Sequence, residues 1–256
     1  MEEKLKAFEE LLNIMDELRA KCPWDKEQTF DSLRNLTIEE VYELADAITR
    51  KDIVDIRKEL GDILLHIVFY AKVGSETNDF DIKDVIDSLN EKLIFRHPHV
   101  FSTTTVNDSE DVKHNWEELK MKEGNKTVLG GVPDSLPALI KANRIQEKVR
   151  AVGFDWEEKN QVWDKVHEEI DELIEEIKNN DQEKIEAEFG DIFFSLVNAA
   201  RLHGVDPETA LEKTNRKFKK RFNYLEQKTI HNGKSLKSMT LEEMDKIWEE
   251  AKKFDD

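Results

Sequence analysis

Two short stretches, Glu39-Glu40-Val41-Tyr42-Glu43 and Glu59-Leu60-Gly61-Asp62, return 129 residues later as Glu168-Glu169-Ile170-Asp171-Glu172 and Glu188-Phe189-Gly190-Asp191. Five carboxylates and one glycine coincide without a gap, and Ile63 falls on Ile192. The chain has 57 acidic residues among 256, so a lone Glu-x-x-Glu carries little weight in it. A five-fold match at one chosen offset has a chance below roughly one in a thousand, so the recurrence points to two copies of one module. Residues three apart share a helix face, which aims Glu40 with Glu43 and Glu59 with Asp62. A short break near Arg50–Asp52 lets the two helices fold back antiparallel, so that the two acidic pairs face each other.

Outward from the repeat, helical periodicity dominates. Leu5, Phe8, Leu11, Leu12, Met15 and Leu18 keep the spacing of one apolar stripe. Thr37-Ile38-Glu39-Glu40 resembles a capping box opening a helix that runs to about Arg50. Asp52 is expected to cap a helix through about Val73, and Asp81 one to about Phe95. Asp206-Pro207-Glu208 and Thr240-Leu241-Glu242-Glu243 read as two further helix starts. No stretch alternates with the period of a strand. The predicted fold is all-α, a tandem repeat of two antiparallel helical-bundle modules. Glycine and proline cluster only in residues 123–137, which predicts a module at 1–122, a linker at 123–137 and a second module at 138–256.

The repeat extends beyond its acidic centre. Lys92 and Arg96 recur as Lys217 and Arg221, 125 residues on, and Trp116-Glu117-Glu118 recurs as Trp248-Glu249-Glu250. Taken alone, the four basic residues also suit ordinary helix C-termini. The tryptophans suit a core equally well. Gly61 and Gly190, inside expected helices, suggest close approach of a helix or a ligand.

A net charge of −18 repels the nucleic-acid backbone, so no nucleic acid is expected as a partner. Cys22 is the only cysteine and reads as a structural thiol, consistent with a reducing compartment. No membrane span and no signal peptide are read, so the expected location is the cytoplasm. Four carboxylates converging on one place repel unless cations join them. Such hard oxygen donors suit Mg²⁺ or Mn²⁺ bridged to a phosphate-bearing substrate. A di-iron carboxylate bundle would need a Glu-x-x-His pair on each of two helices. His66 falls four residues after Asp62, but its counterpart is Ser195, and neither repeat core has that pair.

The acidic pattern in both halves resembles the signature of the MazG-type nucleoside triphosphate pyrophosphohydrolases. Other stretches resemble the two-domain MazG family too: Cys22-Pro23-Trp24-Asp25-Lys26-Glu27-Gln28-Thr29, Arg96-His97-Pro98-His99-Val100-Phe101, Gly130-Gly131-Val132-Pro133 and Val152-Gly153-Phe154-Asp155-Trp156. The resemblance covers nearly the whole chain. It implies Mg²⁺-dependent hydrolysis of NTPs and dNTPs to nucleoside monophosphate and pyrophosphate by an all-α homodimer. It implies Mg²⁺ on Glu169, Glu172, Glu188 and Asp191, with Glu168 orienting or deprotonating water. Lys217 and Arg221 would then offset triphosphate charge, and Trp248 would hold the nucleotide. The first half offers Glu39, Glu40, Glu43, Glu59, Asp62, Lys92, Arg96 and Trp116 in matching places, and the resemblance favours the second half as catalyst. The alternative is a non-catalytic helical protein that binds nucleotides or a regulatory partner.

Overall fold

The computed structural model describes residues 1–102, 105, 106, 108, 112, 115, 119, 127–156, 158, 160–231, 233 and 235–254. Among them every regular element is helical. The chain divides into two compact units, Met1–Asn107 and Asp108–Asp256. Residues 127–137, the described part of the glycine- and proline-rich stretch, form turns rather than a helix.

The first unit holds α1 (Glu2–Lys21), α2 (Pro23–Glu27), α3 (Phe30–Arg50), α4 (Ile53–Glu76), α5 (Ile82–Arg96) and the short α6 (Pro98–Phe101). Its centre is the α3–α4 hairpin. Thr29 caps α3 in a reciprocal box: its side chain accepts the Ser32 N–H at 3.2 Å, and Ser32 Oγ accepts the Thr29 N–H at 2.8 Å. The expected start at Thr37 is therefore corrected, since the helix begins at Phe30. Thr37 lies mid-helix, where its hydroxyl sits 2.7 Å from Tyr70 Oη and 3.0 Å from His66 Nδ1 on α4. Tertiary partners, not a cap, explain the threonine.

The hairpin turn is short because Lys51 takes the left-handed conformation (φ 58°) and Asp52 then caps α4. Asp52 Oδ1 accepts from the Val54 and Asp55 N–H groups, each at 3.1 Å. Met15, Leu33, Val68 and Phe69 form the buried core between α1, α3 and α4. Asp81 caps α5 as its sequence predicts, and His97 ends that helix.

The second unit holds α7 (Ala138–Arg150), α8 (Gln161–Asn179), α9 (Gln182–Leu202), α10 (Pro207–His231) and α11 (Leu241–Ala251), with single 3-10 turns at Leu236–Ser238 and Lys252–Phe254. The α8–α9 hairpin repeats the first one to the level of its turn. Asn180 is left-handed (φ 56°), a conformation asparagine tolerates well, and Asp181 then caps α9 through the Lys184 N–H at 3.3 Å. Thr240 and Glu243 form the expected capping box of α11. Val162, Val166 and Ala199 make the small buried core of this hairpin.

Neither repeated glycine is explained by packing within the chain. A Cβ at Gly61 or Gly190 would meet nothing within 4 Å among the described residues, so the expected close approach of a helix is absent there.

Candidate functional site

Each hairpin brings three carboxylates together. In the first, oxygens of Glu40 and Glu43 on α3 and Glu59 on α4 lie within 4.8 Å of one another. In the second, Glu169 and Glu172 on α8 meet Glu188 on α9 within the same limit. One member of each triad is buried, Glu59 at 4% and Glu169 at 6% exposure. Asp62 and Asp191 belong to neither triad, but their charges reach Glu40 and Glu188. Burial, then the charges of Glu172, Asp191 and Glu169, pushes the Glu188 carboxyl above the usual carboxylate range. Glu40 is raised in the same way, by burial and then by Asp62, Glu43 and Glu59.

This donor set fits a hard divalent cation. Glu59 Oε2 and Glu188 Oε2 are buried without a hydrogen-bond partner, an arrangement that is costly unless a cation or donor joins it. A cation of the chain already stands beside each triad. Lys58 Nζ lies 2.8 Å from Glu59 Oε1, 3.8 Å from Asp62 and 4.0 Å from Glu43. Lys165 Nζ lies 2.7 Å from Glu169 and 2.9 Å from Glu168. The two lysines are not repeat partners: position 187 is alanine where the first half has Lys58, and position 36 is leucine where the second has Lys165. Sequence reading missed both, although Lys165 stands one helical turn before Glu168 and Glu169, the spacing of an intrahelical ion pair.

A cavity of about 500 Å³ adjoins the second triad, with Lys165, Glu169 and Asp191 in its wall beside Phe154, Trp156 and Phe194. Arg201, also in that wall, is held by Asp155 through contacts of 3.1 and 2.5 Å. At the aligned positions of the first unit the side chains are larger: Phe69 replaces Asn198 and His66 replaces Ser195, and both are buried. Glu168 and Glu172 border a separate acidic hollow of about 550 Å³.

The remaining predicted residues are placed as follows. Arg221 stacks its guanidinium 5.6 Å from the Trp248 ring centre, and Phe218 meets the same ring at 4.9 Å. Lys217 lines a basic cavity of about 450 Å³ with Lys213, Arg216 and Lys220, and no acidic residue of α8 or α9 is in its wall. Glu39 is exposed on α3 outside the triad, and Lys92 and Arg96 lie in the last turns of α5. Trp116 lies outside the described residues.

A helical hairpin presenting paired carboxylates beside an apolar, partly cationic cavity suits a class of protein that handles phosphate esters. Comparison with known families makes that class specific. The profile of the MazG nucleotide pyrophosphohydrolase domain matches residues 28–101 and 158–225, one copy on each hairpin. The chain belongs to the MazG nucleotide pyrophosphohydrolase family. It is 42% identical to the nucleoside triphosphate pyrophosphohydrolase of Escherichia coli (strain K12), covering 96% of this chain and 97% of that one. It is 44% identical to the Thermotoga maritima protein named nucleoside triphosphate pyrophosphohydrolase/pyrophosphatase MazG, covering 97% of each.

Proposed function

We propose that the chain hydrolyses nucleoside triphosphates to nucleoside monophosphate and pyrophosphate, with Mg²⁺ held by Glu169, Glu172, Glu188 and Asp191. The observation that carries this reading is the orphaned Glu188 Oε2, buried in a carboxylate triad that opens on a cavity large enough for a nucleoside. When bound, the metal supplies a Lewis acid for the phosphates and lowers the pKa of attacking water. Glu169 and Glu172 would hold it from one helix, and Glu188 and Asp191 from the other. Glu168 lies beside the triad and takes the proton of the attacking water. The water oxygen joins the α-phosphorus, and the bridging oxygen leaves with pyrophosphate. Lys165, 2.7 Å from Glu169, would turn its ammonium toward the phosphates if a dication took its place on that carboxylate.

Lys217, Arg221 and Trp248 are assigned to the nucleotide by their match to the family pattern. Mn²⁺ would suit the same oxygen donors. The working unit in this reading is a homodimer in the cytoplasm, with no nucleic-acid or membrane partner, and 123–137 joins the two modules. The exposed apolar residues of the second hairpin support the dimer, among them Ile174, Phe189, Phe193 and Leu196. The open space around Gly190 supports it too.

For the first unit a second reading is favoured, that of a non-catalytic or regulatory module. There the larger, buried Phe69 and His66 fill the positions that Asn198 and Ser195 take in the cavity wall of the second unit. Pyrophosphate release from NTPs and dNTPs with Mg²⁺ tests both readings. Product formation by wild type supports the enzyme, and its absence with every nucleotide rejects it.

A further inference from the structure

Three buried side-chain oxygens among the described residues have no hydrogen-bond partner: Glu59 Oε2, Glu188 Oε2 and Gln146 Oε1. The first two belong to the triads, where a cation would satisfy them. Gln146 does not. It sits on α7, 4% exposed, in the wall of the cavity that also contains Glu169 and Asp191. Its Nε2 donates to the Phe194 carbonyl at 2.8 Å, and a carbonyl can only accept, so the two ends of the amide are identified and Oε1 is an acceptor without a donor. A buried acceptor of this kind marks a place where a missing group belongs.

The same wall carries an amide fixed the opposite way. Asn198 Oδ1 accepts from Arg201 Nε at 3.1 Å and Nη2 at 2.7 Å, so its amino group is the side it presents to other partners. Arg201 is in turn locked by Asp155. Around the two amides stand the aromatic rings of Phe154, Trp156 and Phe194. Flat apolar walls with one acceptor and one donor suit a heteroaromatic ring bearing both kinds of group, and the cavity abuts carboxylates suited to a phosphate-bridging metal.

We propose that this cavity seats the nucleobase of the substrate and that Gln146 Oε1 accepts an N–H from the edge of that base. The proposal rests on the reading of the second triad as a nucleoside triphosphate hydrolase site. Oε1 is buried while Nε2 holds the Phe194 carbonyl, so the base contact requires the glutamine's broad last torsion to swing Oε1 to the cavity face. All four standard bases carry an N–H on their pairing edge, so the contact demands a donor without choosing among them. A base lacking that N–H leaves the acceptor unpaired and is rejected, whereas an apolar pocket alone would accept it.

The test compares kcat/KM, with Mg²⁺, for ATP, GTP, CTP and UTP and for the triphosphates of purine riboside and 2-pyrimidinone riboside, which lack the N–H. Wild type is expected to favour ATP over the purine analogue and CTP over the pyrimidinone analogue by about tenfold or more. Gln146→Leu brings both ratios close to one. Gln146→Met, which keeps the side-chain length without the amide, repeats the test if the leucine variant does not fold. Equal use of each pair by wild type, or ratios that persist in the variants, overturns the proposal and leaves the hydrolase reading intact. No hydrolysis of any of the six overturns both.

Discussion

Lys58 holds its ammonium 2.8 Å from Glu59 Oε1, and the position that corresponds to it beside Glu188 is Ala187. The second cluster carries its ammonium elsewhere, with Lys165 Nζ 2.7 Å from Glu169, so the two sets of matching carboxylates present differently placed lysines to a cation. The Glu59 carboxylate raises the Lys58 pKa, so the lysine stays charged at neutral pH and repels a second cation.

Replacing Lys58 with alanine is expected to strengthen divalent binding at the first triad by roughly fivefold to tenfold, the scale of removing a like charge near a partly solvated site. Ala187→Lys should weaken the second triad correspondingly and depress pyrophosphate release. Mn²⁺ titration followed by electron paramagnetic resonance reads the affinities, and unchanged Mn²⁺ binding in both variants would refute both expectations.

Glu172→Ala removes one carboxylate from the second triad, and Glu43→Ala removes its counterpart from the first. If the second triad holds the catalytic metal, Glu172→Ala should cut pyrophosphate release by about a hundredfold or more, because metal stabilisation contributes several kcal/mol. Glu43→Ala should leave most of the rate. A steady-state assay with both variants decides, and the reverse sensitivity would move the site to the first unit.

Glu188 gives a pH signature. Its carboxyl is raised in the fold, so the protonated form is favoured there. That contribution is fully present below the unfolded-state pKa and is lost as pH rises from the ordinary glutamate range through the raised value. Glu188→Gln should therefore be more thermostable than wild type at pH 7 without metal, with the gap closing toward acid. Adding Mg²⁺ should stabilise wild type at pH 7 and the variant less. Thermal melts at several pH values check this, and a gap that widens toward acid would contradict it.

Gly74 is a glycine that packing demands. A Cβ there would lie 2.8 Å from two ring carbons of Phe80 and 3.0 Å from its carbonyl oxygen. Gly74→Ala should cost about 1–3 kcal/mol, the usual scale of overpacking. Chemical denaturation measures it, and a neutral result would show that Phe80 moves aside freely.

The features legible in the sequence were local ones. Spacing along one helix places Glu40 with Glu43 and Glu169 with Glu172, and Asp52, Asp81 and Thr240 mark real helix starts. The start of α3 was misread because Glu40 three residues after Thr37 imitates a capping box, while Thr29 and Ser32 form the real one. Nothing local shows that Thr37 meets His66 and Tyr70 across the hairpin. The cavity was invisible for the same reason. Gln146 and Phe194 are 48 residues apart, and only folding makes them neighbours. Lys217 and Trp248 matched a pattern, but a pattern carries no distance to the carboxylates.

The short turn at Asn180 leaves Glu169 and Glu188 on opposite arms of a hairpin joined by a single bend. Like charges on the two arms push them apart, and a shared dication ties them as a crosslink would. If the triad takes a dication as proposed, filling the site and clamping the hairpin would be one event. A substrate that arrived with its own metal would then bring the clasp that closes around it.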